Sequence, residues 1–322
     1  MLGLFHPAEL TIRPAPQSAL AIEGDGRRLI LQDGREAHLQ VSARQVECRS
    51  GDYTFTASTI RGESREGGPA VFVLSVPGRI SRQYRGAFEV SVSDGRLLPV
   101  VAMDLEVGVA SAVAAESLPG APLEALKAQA IVTRSYYLAA GRHSGFAFCD
   151  TTHCQFLREP AAADSPALIA AVSTHGLVLM YRGEDVPALF SASCGGRTRS
   201  LTDAGLSAQG YPYYSVICEY CLRHAPRWST VLRREDADFL EGNTPTETQR
   251  LRIDRKMGWS TIPGNNYQLD FAGEYIIIRG SGQGHGIGLC QAGASGMAAE
   301  GSTFQEILKH YYPNTSLGSS EK

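Results

Sequence analysis

The chain has 322 residues, 43% of them hydrophobic, enough for one large or two ordinary packed domains. Its formal charge of −3 argues against a general electrostatic attraction to nucleic acid or anionic lipid, which depends on a clear excess of Lys and Arg. The longest uncharged apolar stretch, Val107 to Ala115, falls far short of the roughly 20 residues that span a bilayer, so no transmembrane segment is expected.

The opening MLGLFHPAEL has no basic leader, and His6, Pro7 and Glu9 interrupt its apolar run, so it does not read as a secretory signal. From about residue 8 to residue 100, short β-rich runs alternate with turn residues: Leu29 to Leu31 before Asp33-Gly34, and Val71 to Val76 before Pro77-Gly78. Phe88 to Val92 alternates with period two and meets Ser93-Asp94-Gly95, which predicts a hairpin. Helix formers take over near residue 102. Asp104 to Glu116 reads as an apolar helix stopped by Pro119-Gly120, and a second helix runs from Pro122 to about Ala140. Its expected buried face carries Leu126, Ala130, Thr133 and Tyr137. A short helix follows from Ser165-Pro166 to about Thr174. Strands are expected at Leu177 to Tyr181, Pro187 to Ser193 and Glu274 to Arg279, then helices at Gln291 to Ala299 and Phe304 to Tyr312, with a frayed end from Gly318. The expected fold class is α+β, a β-rich amino-terminal part followed by a mixed α+β core.

Glu116 closes an apolar helix, with Val113, Ala114, Ala115 and Leu118 around it. Desolvation and the negative end of the helix dipole both disfavour a carboxylate there, which keeps the acid form closer to neutral pH. That is the form required to protonate a leaving glycosidic oxygen. A solvated helix-end glutamate is the alternative reading of the residue taken alone.

The segment Val113 to Pro119, followed by Leu123-Glu124-Ala125-Leu126-Lys127-Ala128-Gln129-Ala130 and Thr133-Arg134-Ser135-Tyr136, closely resembles the signature of the SpoIID/LytB family. Two further stretches in the same order strengthen the resemblance: Ser193-Cys194-Gly195-Gly196, and Gly280 to Gly288 with Gln291, Gly293 to Met297 and Ile307 to Pro313. It covers roughly residues 85 to 315. This divides the chain into a β-rich region 1–84, a SpoIID/LytB-like catalytic domain 85–315 and a flexible tail 316–322. The sequence departs from the family at Ser117-Leu118-Pro119, where Met-Pro commonly follows the glutamate directly.

The resemblance implies a lytic transglycosylase with Glu116 as its essential acid, acting on peptidoglycan strands of N-acetylglucosamine and N-acetylmuramic acid, often after amidases have removed the stem peptides. It also implies an exported or surface location. An amidase-enhancing relative that binds peptidoglycan without cutting it is the alternative. Ordinary glycosidases need two carboxylates; here Glu116 is the one carboxyl to which the resemblance assigns an acid role, and Asp104 and Glu106 lie about 15 Å or more back along the helix. Lys127 and Arg134, seven residues apart on the second helix, are candidates to bind the sugar or anchor Glu116, with a solvated helix surface as the competing reading. Ser193, Cys194 and Gly195 enter as substrate-binding candidates through the motif match. The glycines from Gly280 to Gly288 lack a following GK[ST] and a βαβ frame, so they suit close approach to a ligand instead, with His285 and Gln291 as cleft candidates.

His143, Cys149, His153 and Cys154 fall within twelve residues, two imidazoles and two thiolates, the ligand set of a closed structural zinc site. The run Cys149 to Gln155 also resembles a zinc-binding stretch of part of the SpoIID family. A Cys149–Cys154 disulfide is the alternative, and a catalytic zinc in a metallohydrolase is a weaker third reading because all four positions would be filled. Cys218, Cys221 and His224 form a further three-member group, open between a metal or redox element, a disulfide and free thiols.

Overall fold

The computed structural model describes residues 6–320 apart from 33, 140, 142, 150–153, 208–209, 238–239 and 241–245. It resolves into two compact units, Met1–Glu116 with Ala140–Leu168, and Ser117–Ala139 with Ile169–Lys322.

Ten strands build the first unit: β1 (Glu9–Pro14), β2 (Leu20–Gly24), β3 (Arg27–Leu31), β4 (Ala37–Ser42), β5 (Gln45–Ser50), β6 (Tyr53–Ala57), β7 (Thr59–Ser64), β8 (Ala70–Val76), β9 (Ile80–Ser93) and β10 (Arg96–Ala102). They form one antiparallel sheet in the order β3-β2-β7-β9-β8-β1-β4-β5-β6, with β10 also on β9, rolled into a nearly closed barrel. Alternation dictates this. Leu10, Ile12, Leu20, Ile22, Leu39, Phe72, Phe88 and Val90 all belong to one buried core, and along β1 and β4 they alternate with more exposed neighbours. The expected hairpin at Asp94-Gly95 is present. Both residues have positive φ, as do Asp25-Gly26 between β2 and β3, the backbone that a two-residue turn between twisted strands requires.

Helix α1 (Leu105–Glu116) follows β10, and its first turn is capped by Asp104, whose Oδ1 accepts from the N–H groups of Glu106 (2.9 Å) and Val107 (3.3 Å). The sheet therefore runs on past residue 84. That position lies inside β9, whose first half pairs with β8 and whose second half pairs with β7 and β10.

In the second unit, α2 (Leu123–Ala139) is buried on nearly every side from Ala125 to Tyr136, not along the single face that its apolar spacing predicts. The reason is its company: it runs through the core against β11 (Leu177–Tyr181) and the later helices α6 (Gln291–Ala299) and α7 (Phe304–Tyr311). The short helix α3 (Pro166–Ser173) leads into β11, which lies between β12 (Glu184–Asp185) and the terminal strand β18 (Ser316–Ser319). The carboxyl-terminal residues expected to fray are therefore ordered as far as Ser319 by antiparallel pairing with Leu177 to Met180.

The strand expected over Pro187 to Ser193 shrinks to β13 (Phe190–Ser191), paired in parallel with β17 (Leu289–Cys290). Helix α4 (Glu219–His224) precedes a small layer of β14 (Arg227–Arg233), β15 (Asn266–Ala272) and β16 (Tyr275–Ser281). Helix α5 (Glu247–Met257) closes that layer over Leu232, Ile253, Ile276 and Ile278. The fold is α+β. Among the described residues, no helix is long and apolar enough to cross a membrane.

Candidate active site and metal-binding clusters

In the first unit, Glu116 is the last residue of α1 and is half-buried. Desolvation pushes its carboxyl above the usual carboxylate range, opposed by one hydrogen bond from the Phe156 N–H to Oε1 at 2.7 Å. Phe156 is steadied from its ring side by Arg82, whose guanidinium carbon lies 4.8 Å from the ring centroid.

Two residues before Phe156 is Cys154, part of a group in which His143, Cys149 and Cys154 bring their ligand atoms within 4.8 Å of one another. His143 Nε2 and Cys154 Sγ are 3.3 Å apart, His143 stacks on Phe146 and Cys149 is buried. His153 lies outside the described residues. The three described residues fit a metal ion, and the chain between Cys154 and Phe156 connects that group to the N–H that holds Glu116.

The remaining residues singled out in the sequence belong to the second unit. Arg134 is fully buried and donates to the carbonyls of Leu177 (3.0 Å) and Ala171 (3.2 Å). Beside it, the Ser135 hydroxyl donates to Ile131 O and accepts from Leu179 N–H. The Thr-Arg-Ser stretch thus fastens α2 to β11 and the end of α3, because each buried backbone carbonyl or N–H needs a partner there. Lys127 pairs with Glu124 at 2.7 Å, and the second oxygen of Glu124 accepts from Phe304 N–H at the start of α7. The pull of Lys127 holds the Glu124 carboxyl below the usual range. Gln291 is buried, its amide 3.4 Å from that of Gln129.

The glycine-rich stretch packs against the chain itself. A side chain at Gly288 would strike the carbonyl of Leu189 and one at Gly282 that of Ser193, and both have positive φ, so glycine permits a close approach of two backbone segments. His285 is half-buried, and its Nδ1 accepts from Ile287 N–H at 3.0 Å. Desolvation lowers its pKa and favours a neutral imidazole. Gly195 O accepts from Asn266 Nδ2 and Ser281 Oγ.

The three-member group Cys218, Cys221 and His224 is regrouped by the tertiary structure. His224 is exposed, stacked on Tyr220 with Nδ1 3.0 Å from the Tyr220 carbonyl. Cys194 and Cys290 take its place: the sulfurs of Cys194, Cys218, Cys221 and Cys290 lie within 4.8 Å of one another, all buried. The signal in the sequence was present but scattered, since Cys194 sits inside a motif assigned to another purpose and Cys290 lies alone between the glycine run and Gln291. The seventh cysteine, Cys48, is buried alone in the barrel core, which pushes its thiol up to about 12 and leaves it inert. A concavity of 1110 Å³ in the first unit, beside Gln17, Gln32, Arg35 and Arg65, contains no member of either metal-binding group.

The molecule is thus an α+β protein with a desolvated helix-end carboxylic acid and two groups of side chains able to hold a metal. Residues 93–181 match the family model SpoIID, described as stage II sporulation protein. The chain is 28% identical over 262 residues to an uncharacterized protein of Brachyspira hyodysenteriae, covering 71% of each chain. It is 24% identical to stage II sporulation protein D of Bacillus subtilis, over 67% of this chain and 75% of that one. Against the amidase enhancer of Bacillus subtilis it is also 24% identical, over 61% of this chain but only 38% of that protein's length. Residues 93–181 thus carry a match to the SpoIID model, and the chain is similar to proteins of the SpoIID/LytB family.

Proposed function

We propose that the protein is a peptidoglycan lytic transglycosylase that cleaves strands of N-acetylmuramic acid and N-acetylglucosamine, with Glu116 as its single acid/base. The observation that carries this reading is the half-buried Glu116 carboxyl, raised in pKa by desolvation and oriented by the Phe156 N–H. The protonated acid donates its proton to the glycosidic oxygen as the bond to the muramic C1 breaks. The resulting carboxylate takes the proton of the muramic C6 hydroxyl as that oxygen bonds to C1, which regenerates the acid and leaves a 1,6-anhydro end without water. One carboxyl suffices because the nucleophile is supplied by the substrate.

His143, Cys149, His153 and Cys154 hold a zinc ion in this reading, and a four-ligand set supplies rigidity and leaves no position for a reacting water. Its place two residues before Phe156 supports a role in orienting Glu116. The substrate assigns the protein to the cell envelope. A second reading, a peptidoglycan-binding stimulator of a partner amidase, is favoured by the likeness to the amidase enhancer.

The deciding experiment is mass spectrometry of products from peptide-free glycan strands incubated with wild type and Glu116→Gln. Anhydromuramyl ends made only by the wild type are expected. Reducing ends would overturn the transglycosylase in favour of hydrolysis, and strand binding without cleavage by the wild type would select the amidase stimulator.

A further inference from the structure

We infer that Cys194, Cys218, Cys221 and Cys290 form a second metal centre, a closed tetrathiolate site for one structural zinc ion in the core of the second unit. The four sulfurs converge from three separate places in the fold: the Ser-Cys-Gly-Gly turn after β13, the Cys-x-x-Cys that enters α4, and the junction of β17 with α6. Each cysteine is at most 2% exposed, and all four sulfurs lie within 4.8 Å of one another. A tetrahedral zinc with bonds of about 2.3 Å holds its sulfurs roughly 3.8 Å apart, so one ion fits the group after only small adjustments. Cys221 Sγ and Cys290 Sγ, 3.4 Å apart, are close to that spacing.

The surroundings suit thiolates. The N–H groups of Cys194 (3.3 Å) and Gly293 (3.4 Å) both donate to Cys290 Sγ. The hydroxyls of Tyr311 and Ser193 lie 3.3 and 3.4 Å from the sulfurs of Cys218 and Cys221, where each can turn its proton toward sulfur. Four such donors offset the negative charge that four thiolates retain around a divalent ion, the task that the outer shell performs at a metal centre. Gly293 is matched to the site, because a side chain there would collide with Cys218 Sγ and Tyr311 Oη and push α6 away.

An all-sulfur set selects a soft or borderline ion over magnesium or calcium, and a tetrahedral one points to zinc. Ile287, Leu289, Ala294 and Tyr311 wall the group into the apolar core, which suits a structural ion with no room for substrate. Its role is to clamp the turn, α4 and the start of α6 together. That work is needed because β13 and β17, which join two of these segments, pair over only two residues each.

The test uses the full chain purified under reducing conditions with zinc supplied, in the Cys149→Ser/Cys154→Ser background that disables the other cluster. Metal analysis is expected to give one zinc per chain. Cobalt exchange is expected to give the intense visible bands of a tetrahedral tetrathiolate. Adding Cys218→Ser and Cys221→Ser is expected to lower bound zinc at least tenfold. Should that variant be insoluble, the zinc content and cobalt spectrum of the background protein still decide the matter. The wild type, which needs no substitution, is expected to show the same tetrathiolate component beside the bands of the mixed His/Cys set. No zinc with four reactive thiols, a Cys221–Cys290 disulfide in peptide mapping, or iron in place of zinc would each overturn the assignment.

Discussion

The loop group of the first unit and the four-cysteine group of the second are built in opposite ways. His143, Cys149 and Cys154 come from one short stretch, only Cys149 among them is fully buried, and Cys154 stands two residues from the backbone N–H that holds Glu116. Cys194, Cys218, Cys221 and Cys290 come from across the second unit, are all buried, and meet only when β13, β17, α4 and α6 are in position. The first can form wherever one loop closes on itself. The second presupposes the fold and in turn stabilises it, because a metal bound only by the native state adds its binding free energy to stability. The comparison therefore separates residues that serve the chemistry from residues that serve the core, and substitutions should divide in the same way.

The largest expected effect is on the chemistry side. Glu116→Gln should lower glycan cleavage by about 10³-fold, the range for loss of a general acid, with the fold retained. Its stability signature has a definite sign. Because the folded pKa of Glu116 is raised, the wild type is most stable below the unfolded pKa and loses that advantage as pH rises through the folded value. Thermal melts should thus find Glu116→Gln at least as stable as the wild type at pH 7, and the difference should vanish in acid. Cleavage by the wild type should fall as pH rises through the same raised pKa. A variant that melts lower at pH 7 would put Glu116 on the core side of the comparison.

Cys218→Ser with Cys221→Ser should release the second metal and lower the melting temperature by about 10 °C, as expected for a loss of several kcal/mol in a chain of this size. Arg134→Ala should cost about 3 kcal/mol in denaturant titration, since it leaves the carbonyls of Leu177 and Ala171 short of a partner inside the core. Cys149→Ser should reduce cleavage about 10-fold while shifting the melting temperature less than the Cys218/Cys221 pair does, because the loop group positions Glu116 without holding the core. Equal melting shifts for the two clusters would break the comparison. The smallest effect is expected for Lys127→Ala, about 0.5 kcal/mol, the ordinary value of one helix-surface ion pair, with little change in cleavage.

Much of the fold was legible in the sequence, and the parts that were share a physical cause. Helix α1 with its stop at Pro119-Gly120, the strand Leu177–Tyr181, helix Gln291–Ala299 and the Asp94-Gly95 hairpin each rest on local periodicity or on turn chemistry within a few residues. The single buried face expected of α2 did not follow, because burial on the other sides comes from β11, α6 and α7, which its own residues do not encode. The tail from residue 316 was expected to be flexible, but Ser316 to Ser319 pair with β11, which depends on an open strand edge that only the assembled unit provides. The reading of the glycines from Gly280 onward was half legible: close approach was evident, but the surface approached is the chain's own backbone at Leu189 and Ser193.

The candidate site divides along the same line. Residue types and spacings alone marked His143, Cys149, His153 and Cys154 as a compact ligand set and Glu116 as a carboxyl in apolar company, because desolvation by near neighbours and the geometry of a short loop are local properties; choosing Glu116 over a solvated helix-end glutamate rested on the resemblance to the SpoIID/LytB signature. Only the tertiary structure decided that Arg134 spends its charge on carbonyls inside the core, that Phe156 supplies the hydrogen bond to Glu116, and that His224 gives way to Cys194 and Cys290 beside the Cys-x-x-Cys. Those outcomes depend on which distant segments share the low-dielectric interior, and burial there is settled by the whole unit at once.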